Sequence, residues 1–330
     1  MSKAIFGNTF ITGATGLLGS ELVAQLLQNN ETSKLVCLVR DHLPQSRYFA
    51  EGLSEKVVTI HGDIRNQELL DRVINEYEIN TVFHLAAQTL VQQANLRPAD
   101  TLDVNIRGTW ALLEACRVNS KRIQRVVCAS SDKAYGNLKG EKYDESFPLE
   151  GKHPYDVSKS CSDLISQTFA HSYGMNIAVT RCGNFFGPGD LNESRIIPHT
   201  IVSLLNNRAP IIRSDGKFIR DYIYVGDGAA AYRLLAKQMI EKPMPGEAFN
   251  FSYELRLSVL DIVKKIGSLM GKNIAPTILN QAFNEIPVQS LDSTKAKKIL
   301  NWAPLFGLEA GMQQTIDWYQ LAVEKRWIQW

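Results

Sequence analysis

Several features are scarce in this chain, and each scarcity removes a class of protein. The five cysteines, Cys37, Cys116, Cys128, Cys161 and Cys182, form no Cys-x-x-Cys pair and no other metal-ligand spacing. The expectation is therefore reduced core thiols and no metal site. No apolar run approaches the roughly 20 residues of a membrane-crossing helix, and the stretch from Ala4 to Ile11 is interrupted by Gly7-Asn8. A formal net charge of +2 over 330 residues, without a basic run, argues against a nucleic-acid surface, so any bound anion is expected to be small. Met1-Ser2-Lys3 runs directly into a strand-like segment and leaves no room for a signal peptide, which sets the expectation of a cytoplasmic protein. With 45% hydrophobic and 21% charged residues the chain is neither disordered nor fibrous, and no internal repeat stands out.

What is present alternates between short apolar runs and helical periodicity. Ala4 to Ile11 reads as a strand, followed by Gly13-Ala14-Thr15-Gly16-Leu17-Leu18-Gly19 and then leucines at helical spacing. Glycines between a strand and a helix let backbone N–H groups approach a pyrophosphate, and the helix offers its positive dipole end to the same anion. Gly13, Thr15, Gly16, Leu17, Leu18 and Gly19 are thus expected against a dinucleotide. The second strand ends in Arg40-Asp41, where an arginine suits a ribose 2′-phosphate and an acid suits a free 2′-hydroxyl. Because Arg40 comes first, the expectation leans to NADP, with NAD kept open by Asp41.

Further strands are expected at Val57 to Ile60, Thr81 to His84, Gln124 to Ala129 and Asn176 to Arg181, with helices from Gln67 to Tyr77 and from Pro98 to Asn119. Asp63-Ile64 resembles the segment that contacts adenine in related folds, and the small residues of Leu85-Ala86-Ala87 let the chain pass close to a cofactor. His84 reads as a packed strand-end residue, and Asn105 as a helix amide that ties down a loop. Beyond residue 182 the alternation loosens into short strands at Ile211-Ile212, Phe218 to Val225 and Ala248 to Phe251, among helices near 196–207, 229–240, 260–270, 293–300 and 308–324. The expected fold is α/β, a Rossmann doubly wound parallel sheet with a smaller C-terminal α/β substrate lobe. Residues 1–182 form the nucleotide domain, with a return segment near 211–245, and 183–330 form the interleaved lobe.

Chemistry concentrates in Ser130-Ser131-Asp132-Lys133, just past a strand end, and in Tyr155-Asp156-Val157-Ser158-Lys159. Tyrosine ionises near pH 10 and is a poor base at neutrality. Lys159 sits one helical turn further along the same face, and its charge, with that of an oxidised nicotinamide, favours the phenolate. A phenolate beside Ser131 takes a proton from a substrate alcohol as the carbinol hydride departs.

The glycine loop, Ser131, Tyr155 with Lys159, Arg181-Cys182-Gly183-Asn184 with Gly187-Pro188, and Arg220-Asp221-Tyr222-Ile223-Tyr224-Val225 together resemble the extended short-chain dehydrogenase/reductase family of sugar-nucleotide epimerases and dehydratases. The resemblance covers nearly the whole chain. It implies a nucleotide-diphosphate sugar as substrate, with Gln88, Thr89, Asn184, Arg195, Arg220 and, more weakly, Arg213 around it. It also implies a homodimer built on the helices Pro98 to Asn119 and Tyr155 to Tyr173.

Ser131-Asp132-Lys133 is similar to the Asp-Lys variant of the nucleotide-sugar 4,6-dehydratases, the CDP-glucose type among them. On that resemblance Asp132 is the acid that protonates the departing 6-hydroxyl and Lys133 the base, or partner of the base, at C5. Arg220-Asp221-Tyr222 is the generic family form and leaves the nucleotide base open. A 4-epimerase would use Ser131, Tyr155 and Lys159 and ignore Asp132 and Lys133. A keto-sugar reductase would consume NADPH. A non-catalytic dinucleotide sensor would have no use for the Tyr155–Lys159 pair.

Overall fold

A computed structural model describes residues 4–137, 142–281 and 287–329; Met1-Ser2-Lys3 lies outside them. The first part of the chain runs β1 (Asn8–Thr12), α1 (Leu17–Gln28), β2 (Lys34–Val39), α2 (Arg47–Ala50), β3 (Val58–His61), α3 (Gln67–Glu76), β4 (Thr81–His84), α4 (Val91–Leu96), α5 (Pro98–Leu102), α6 (Gly108–Val118), β5 (Arg125–Ala129), α7 (Pro154–Tyr173) and β6 (Ile177–Cys182). The remainder runs β7 (Asn184–Phe186), α8 (Ile196–Leu205), β8 (Ile211–Ile212), β9 (Ile219–Arg220), β10 (Tyr222–Tyr224), α9 (Val225–Glu241), β11 (Ala248–Phe251), β12 (Leu257–Ser258), α10 (Val259–Leu269), β13 (Thr277–Ile278), α11 (Thr294–Leu300) and α12 (Gly307–Glu324).

Strands β4 and β6 are buried along their whole length. Such strands need helices on both faces, the situation of a parallel sheet. Seven strands in the order β11-β6-β5-β4-β1-β2-β3 form that sheet, and every pairing in it is parallel. One face is covered by α1 and α9 through Leu22, Val23, Leu26, Tyr232 and Leu235. The other is covered by α3, α6 and neighbours through Leu70, Val73, Leu112 and Cys116. A third cluster, with Phe186, Ile197, Tyr224, Ile262, Met312 and Trp318, forms the core of the C-terminal lobe.

Several local expectations shift. The first strand begins at Asn8 and not at Ala4, because Gly7 turns the chain at φ +62°. The helix from Pro98 is interrupted by a π-helical turn, Asp103–Arg107, between α5 and α6. That wide turn seats Asn105 inside, 2% exposed. The single strand expected over Phe218 to Val225 is two: β9 pairs antiparallel with β12, and β10 pairs parallel with β7. The segments that return to the central sheet are α9, against α1, and β11, against β6. Ile211-Ile212 instead pairs with β13. Four cysteines are buried and Cys161 is half-buried, all of them unpaired. Among the described residues no helix is long and apolar enough to cross a membrane.

Candidate active site

The chain leaves β1 for β2 on one side, while β4 lies on the other, so the carboxyl ends of β1 and β4 frame a crevice at the point where strand order reverses. Gly13 holds φ +79°, and a Cβ there would lie 2.8 Å from the Ala86 nitrogen. The glycine loop and Leu85-Ala86 thus pack backbone against backbone. Thr12 ties them together, its Oγ1 accepting from Leu85 N and Ala86 N, both at 3.2 Å. Gly16 caps α1 without a side-chain hydrogen bond, so no side chain competes for the first-turn N–H groups. Thr15 is half-buried and Gly16 exposed at this opening. An uncapped helix start over a glycine loop fits the pyrophosphate of a dinucleotide.

His84 is a brace and not a base. Its Nδ1 lies 2.9 Å from Thr12 Oγ1 and its Nε2 3.0 Å from Thr109 Oγ1. Burial pushes its pKa down to about 3, so it stays neutral. Asn105 accepts from Gln88 N at 2.7 Å and donates to Gln88 O at 3.0 Å and Ser158 Oγ at 2.8 Å. It therefore locks the loop after β4 to α7, and the loop it ties is not the one carrying Ser131. Thr89 is exposed beyond it.

At the end of β2, Arg40 and Asp41 are both exposed and pair with each other at 2.7 Å. Asp63 is gripped by Arg65, which holds its carboxyl below the usual range. Ile64 lies buried under Gly108 at the start of α6.

The carboxyl end of β5 delivers a 3-10 turn over Asp132–Tyr135, which carries the candidate residues Asp132 and Lys133. Ser131 caps it, its Oγ accepting from Lys133 N at 3.2 Å and donating to Asp132 Oδ1 at 3.0 Å. Asp132 is 2% exposed, and among the described residues its Oδ2 has no hydrogen-bond partner. Burial raises its pKa, partly offset by the charge of Lys133, the Ser131 hydroxyl and the charge of Arg220. Lys133 Nζ donates to Gln289 Oε1 at 2.8 Å.

The far end of the turn is anchored. Tyr135 donates to Asn250 Oδ1 at 2.8 Å and accepts from Arg181 at 3.0 Å. Arg181 in turn forms a buried ion pair with Asp163 at 2.8 Å.

Tyr155 and Lys159 stand one turn apart on α7, both buried. Burial raises the Tyr155 phenol to about 12, with Ser131 working against it, so a lowered value would need the charge of an oxidised nicotinamide in addition to Lys159. Lys159 does not bond the phenol. Its Nζ donates to Ala129 O at 3.0 Å, and burial lowers its pKa to about 8.

Asn184 donates from N to Asp221 O at 2.7 Å. Arg195 pairs with Asp190 at 3.1 Å and its charge acts on Tyr155. Arg220 stacks over Phe218 at 5.2 Å while its charge acts on Asp132. Arg195 and Arg220 thus converge on the two catalytic segments. Arg213 stands apart, exposed just beyond β8, where its charge acts on His199. Lys142 pairs with Glu254 at 3.3 Å.

Two participants escaped sequence reading. Gln289 carried no signal, because the residue it touches lies 156 positions away. Asp221 was read only as part of its motif. It is fully buried and accepts at Oδ2 from Ser252 Oγ and from Leu291 N, the latter at 3.0 Å, while burial pushes its carboxyl up to about 7.

Residues 9–251 match the NAD dependent epimerase/dehydratase family. The chain belongs to this family. Among its relatives, the dTDP-glucose 4,6-dehydratase of Mycolicibacterium smegmatis is 29% identical over 96% of this chain and 94% of its own length. A trifunctional UDP-glucose 4,6-dehydratase/3,5-epimerase/reductase of Arabidopsis thaliana is also 29% identical, but the chain spans only 47% of that protein.

The dTDP-glucose 4,6-dehydratase of Streptomyces venezuelae, solved with NAD, superposes with a TM-score of 0.84 at 25% identity, covering 95% of this chain and 97% of the other. The UDP-glucose 4-epimerase of Thermotoga maritima, solved with UDP-glucose, superposes at 0.86 with 26% identity, covering 96% and 99%. The site is accordingly that of a nicotinamide-dependent family member.

Proposed function

We propose that this protein is a nucleotide-sugar 4,6-dehydratase, converting an NDP-hexose to an NDP-4-keto-6-deoxyhexose. The observation that carries the reading is Asp132: a carboxyl almost wholly buried, one oxygen on Ser131 and the other, among the described residues, without a partner, with Lys133 next to it and Ser131 also acting on the phenol of Tyr155. A 4-epimerase needs only the serine, the tyrosine and the lysine of α7. A buried acid kept protonated is the group that a departing hydroxyl requires.

Held by the glycine loop and Leu85-Ala86, an oxidised nicotinamide dinucleotide would supply a hydride acceptor for C4 and a hydride donor for C6, together with a positive charge that favours the Tyr155 phenolate. The residues around it move protons. Tyr155, relayed by Ser131, removes the C4 hydroxyl proton, and Lys159 adds positive charge near the phenol from its seat on Ala129. The 4-keto group makes the C5 proton acidic, and Lys133 takes it. Asp132 protonates the C6 hydroxyl, which leaves as water. A proton returns to C5 as C6 is reduced, so one water is lost and the cofactor ends as it began. The glycine loop and the start of α1 hold the pyrophosphate, and Arg195, Arg220 and Asn184 face the sugar nucleotide's diphosphate.

The cofactor is NAD. Asp41 at the end of β2 offers an acid suited to a free ribose 2′-hydroxyl, Arg40 is engaged by that same acid, and the related dehydratase structures carry NAD. The protein is a homodimer through α6 and α7, whose outer faces leave Trp110, Val118, Leu164 and Tyr173 exposed. Incubating the protein with UDP-, CDP-, GDP- and dTDP-hexoses without added reductant should yield a product lighter by one water for at least one of them. The second reading, a 4-epimerase, rests on the equally good superposition with that enzyme, and it takes over if mass is unchanged and C4 is inverted.

A further inference from the structure

We propose that Gln289 is a positioning residue for water elimination, holding Lys133 over the sugar; this rests on the dehydratase reading above. Within the turn Asp132–Tyr135, the Lys133 side chain, like that of Tyr135, is held by a residue from outside it. Ser131 and Asp132 bond to each other, and Tyr135 is fixed by Arg181 and Asn250, whereas the Lys133 amine meets Gln289 Oε1 at 2.8 Å, across 156 residues.

Gln289 is itself rigidly set. Its side chain is fully buried, its backbone N donates to Ile219 O at 3.1 Å, and the Leu291 N–H two residues on bonds Asp221 at 3.0 Å. A lysine stem has four rotatable carbons, and a catalytic group displaced by about 1 Å can cost 10²-fold in rate.

The acceptor is also chemically apt. Asp132 and Asp156 already lie within electrostatic reach of the Lys133 charge. A third carboxylate would hold the proton on the amine, whereas an amide fixes the amine without adding charge. The segment Pro287-Val288-Gln289 runs alongside Ile219-Arg220. The strand that brings Arg220 to the substrate therefore also brings the grip on Lys133.

The test is a double-mutant cycle on Lys133 and Gln289, read in two half-reactions. Gln289→Met should slow water loss about 10- to 100-fold, while reduction of the bound nicotinamide on adding substrate stays within about twofold of wild type, so reduced cofactor accumulates. Adding Gln289→Met to Lys133→Met should cost nothing further. Gln289→Asn keeps the amide but withdraws the acceptor by one methylene, and serves the same test if Gln289→Met melts below the assay temperature. Cofactor reduction and water loss falling together, or the two losses multiplying in the double variant, would overturn the assignment. So would an impaired Lys133→Met beside a fully active Gln289→Met, with the dehydratase reading left standing. If Lys133→Met eliminates water at the wild-type rate, the role given to Lys133 falls, and the inference with it.

Discussion

The two ends of one short turn are built on opposite principles. Around Tyr135, among the described residues, no buried side-chain polar atom of the tyrosine, Arg181, Asp163 or Asn250 lacks a partner: they bond one another, and Asn250 also donates to Tyr143 O. At Asp132 the reverse holds. Among the described residues, Ser130 Oγ, Asp132 Oδ2, Asp221 Oδ1, Gln289 Nε2 and Ser290 Oγ are buried without partners, and they belong to segments that meet around this end of the turn. Buried polar groups ordinarily cost on the order of 1–3 kcal/mol each when unpaired. A fold that closes one end of a turn and leaves the other open spends stability from the first to hold reactive groups at the second.

The largest expected effect tests the closed end. Asp163→Ala leaves the Arg181 guanidinium buried without its carboxylate and should cost roughly 3–5 kcal/mol of stability, with activity lost as the turn loosens; a denaturant midpoint near that of wild type would break the contrast.

Next comes Tyr155→Phe, which removes the proton acceptor. It should lower cofactor reduction by about 10²–10⁴-fold with the melting temperature little changed.

Asp132→Asn sharpens the comparison from the open end. Burial disfavours the ionised carboxyl, so the variant should melt at or above the wild-type temperature while water loss is abolished and hydride transfer to the bound cofactor persists. Dehydration at the wild-type rate would remove Asp132 from the mechanism.

The last test concerns pH, with an effect comparable in size to the first but spread over about three pH units. The carboxyl of Asp221 is raised to about 7 in the fold. Its contribution to stability is therefore full below the unfolded value near 4 and is lost as pH rises through about 7. Compared with Asp221→Asn, the wild type should lose on the order of 4 kcal/mol of relative unfolding free energy over that window. Parallel pH profiles for the two proteins would show that the burial of Asp221 does not act this way.

The legibility of the chain followed the same division. The glycine loop, the alternation of strands and helices and the Tyr155–Lys159 helix were readable because each is a local pattern: a strand, a turn and a helix within a few residues of one another. Asn105 was visible as an inward amide, but its true partner, Gln88, depended on a π-helical turn that periodicity does not announce. The depressed tyrosine was expected from the i, i+4 lysine together with an oxidised nicotinamide. Burial outweighs that lysine, whose amine is committed to Ala129 O. Asp132-Lys133 could be read as a pair of residue types. The upward shift of the first and the hydrogen bond of the second depend on burial and on Gln289, which only the assembled lobe supplies.

The most direct test follows the hydrogen at C4. With an NDP-hexose deuterated at C4 and no added reductant, a 4,6-dehydratase should yield a product lighter by one water with the deuterium at C6. Deuterium found back at C4 of a product of unchanged mass would contradict the elimination chemistry assigned to Asp132 and Lys133.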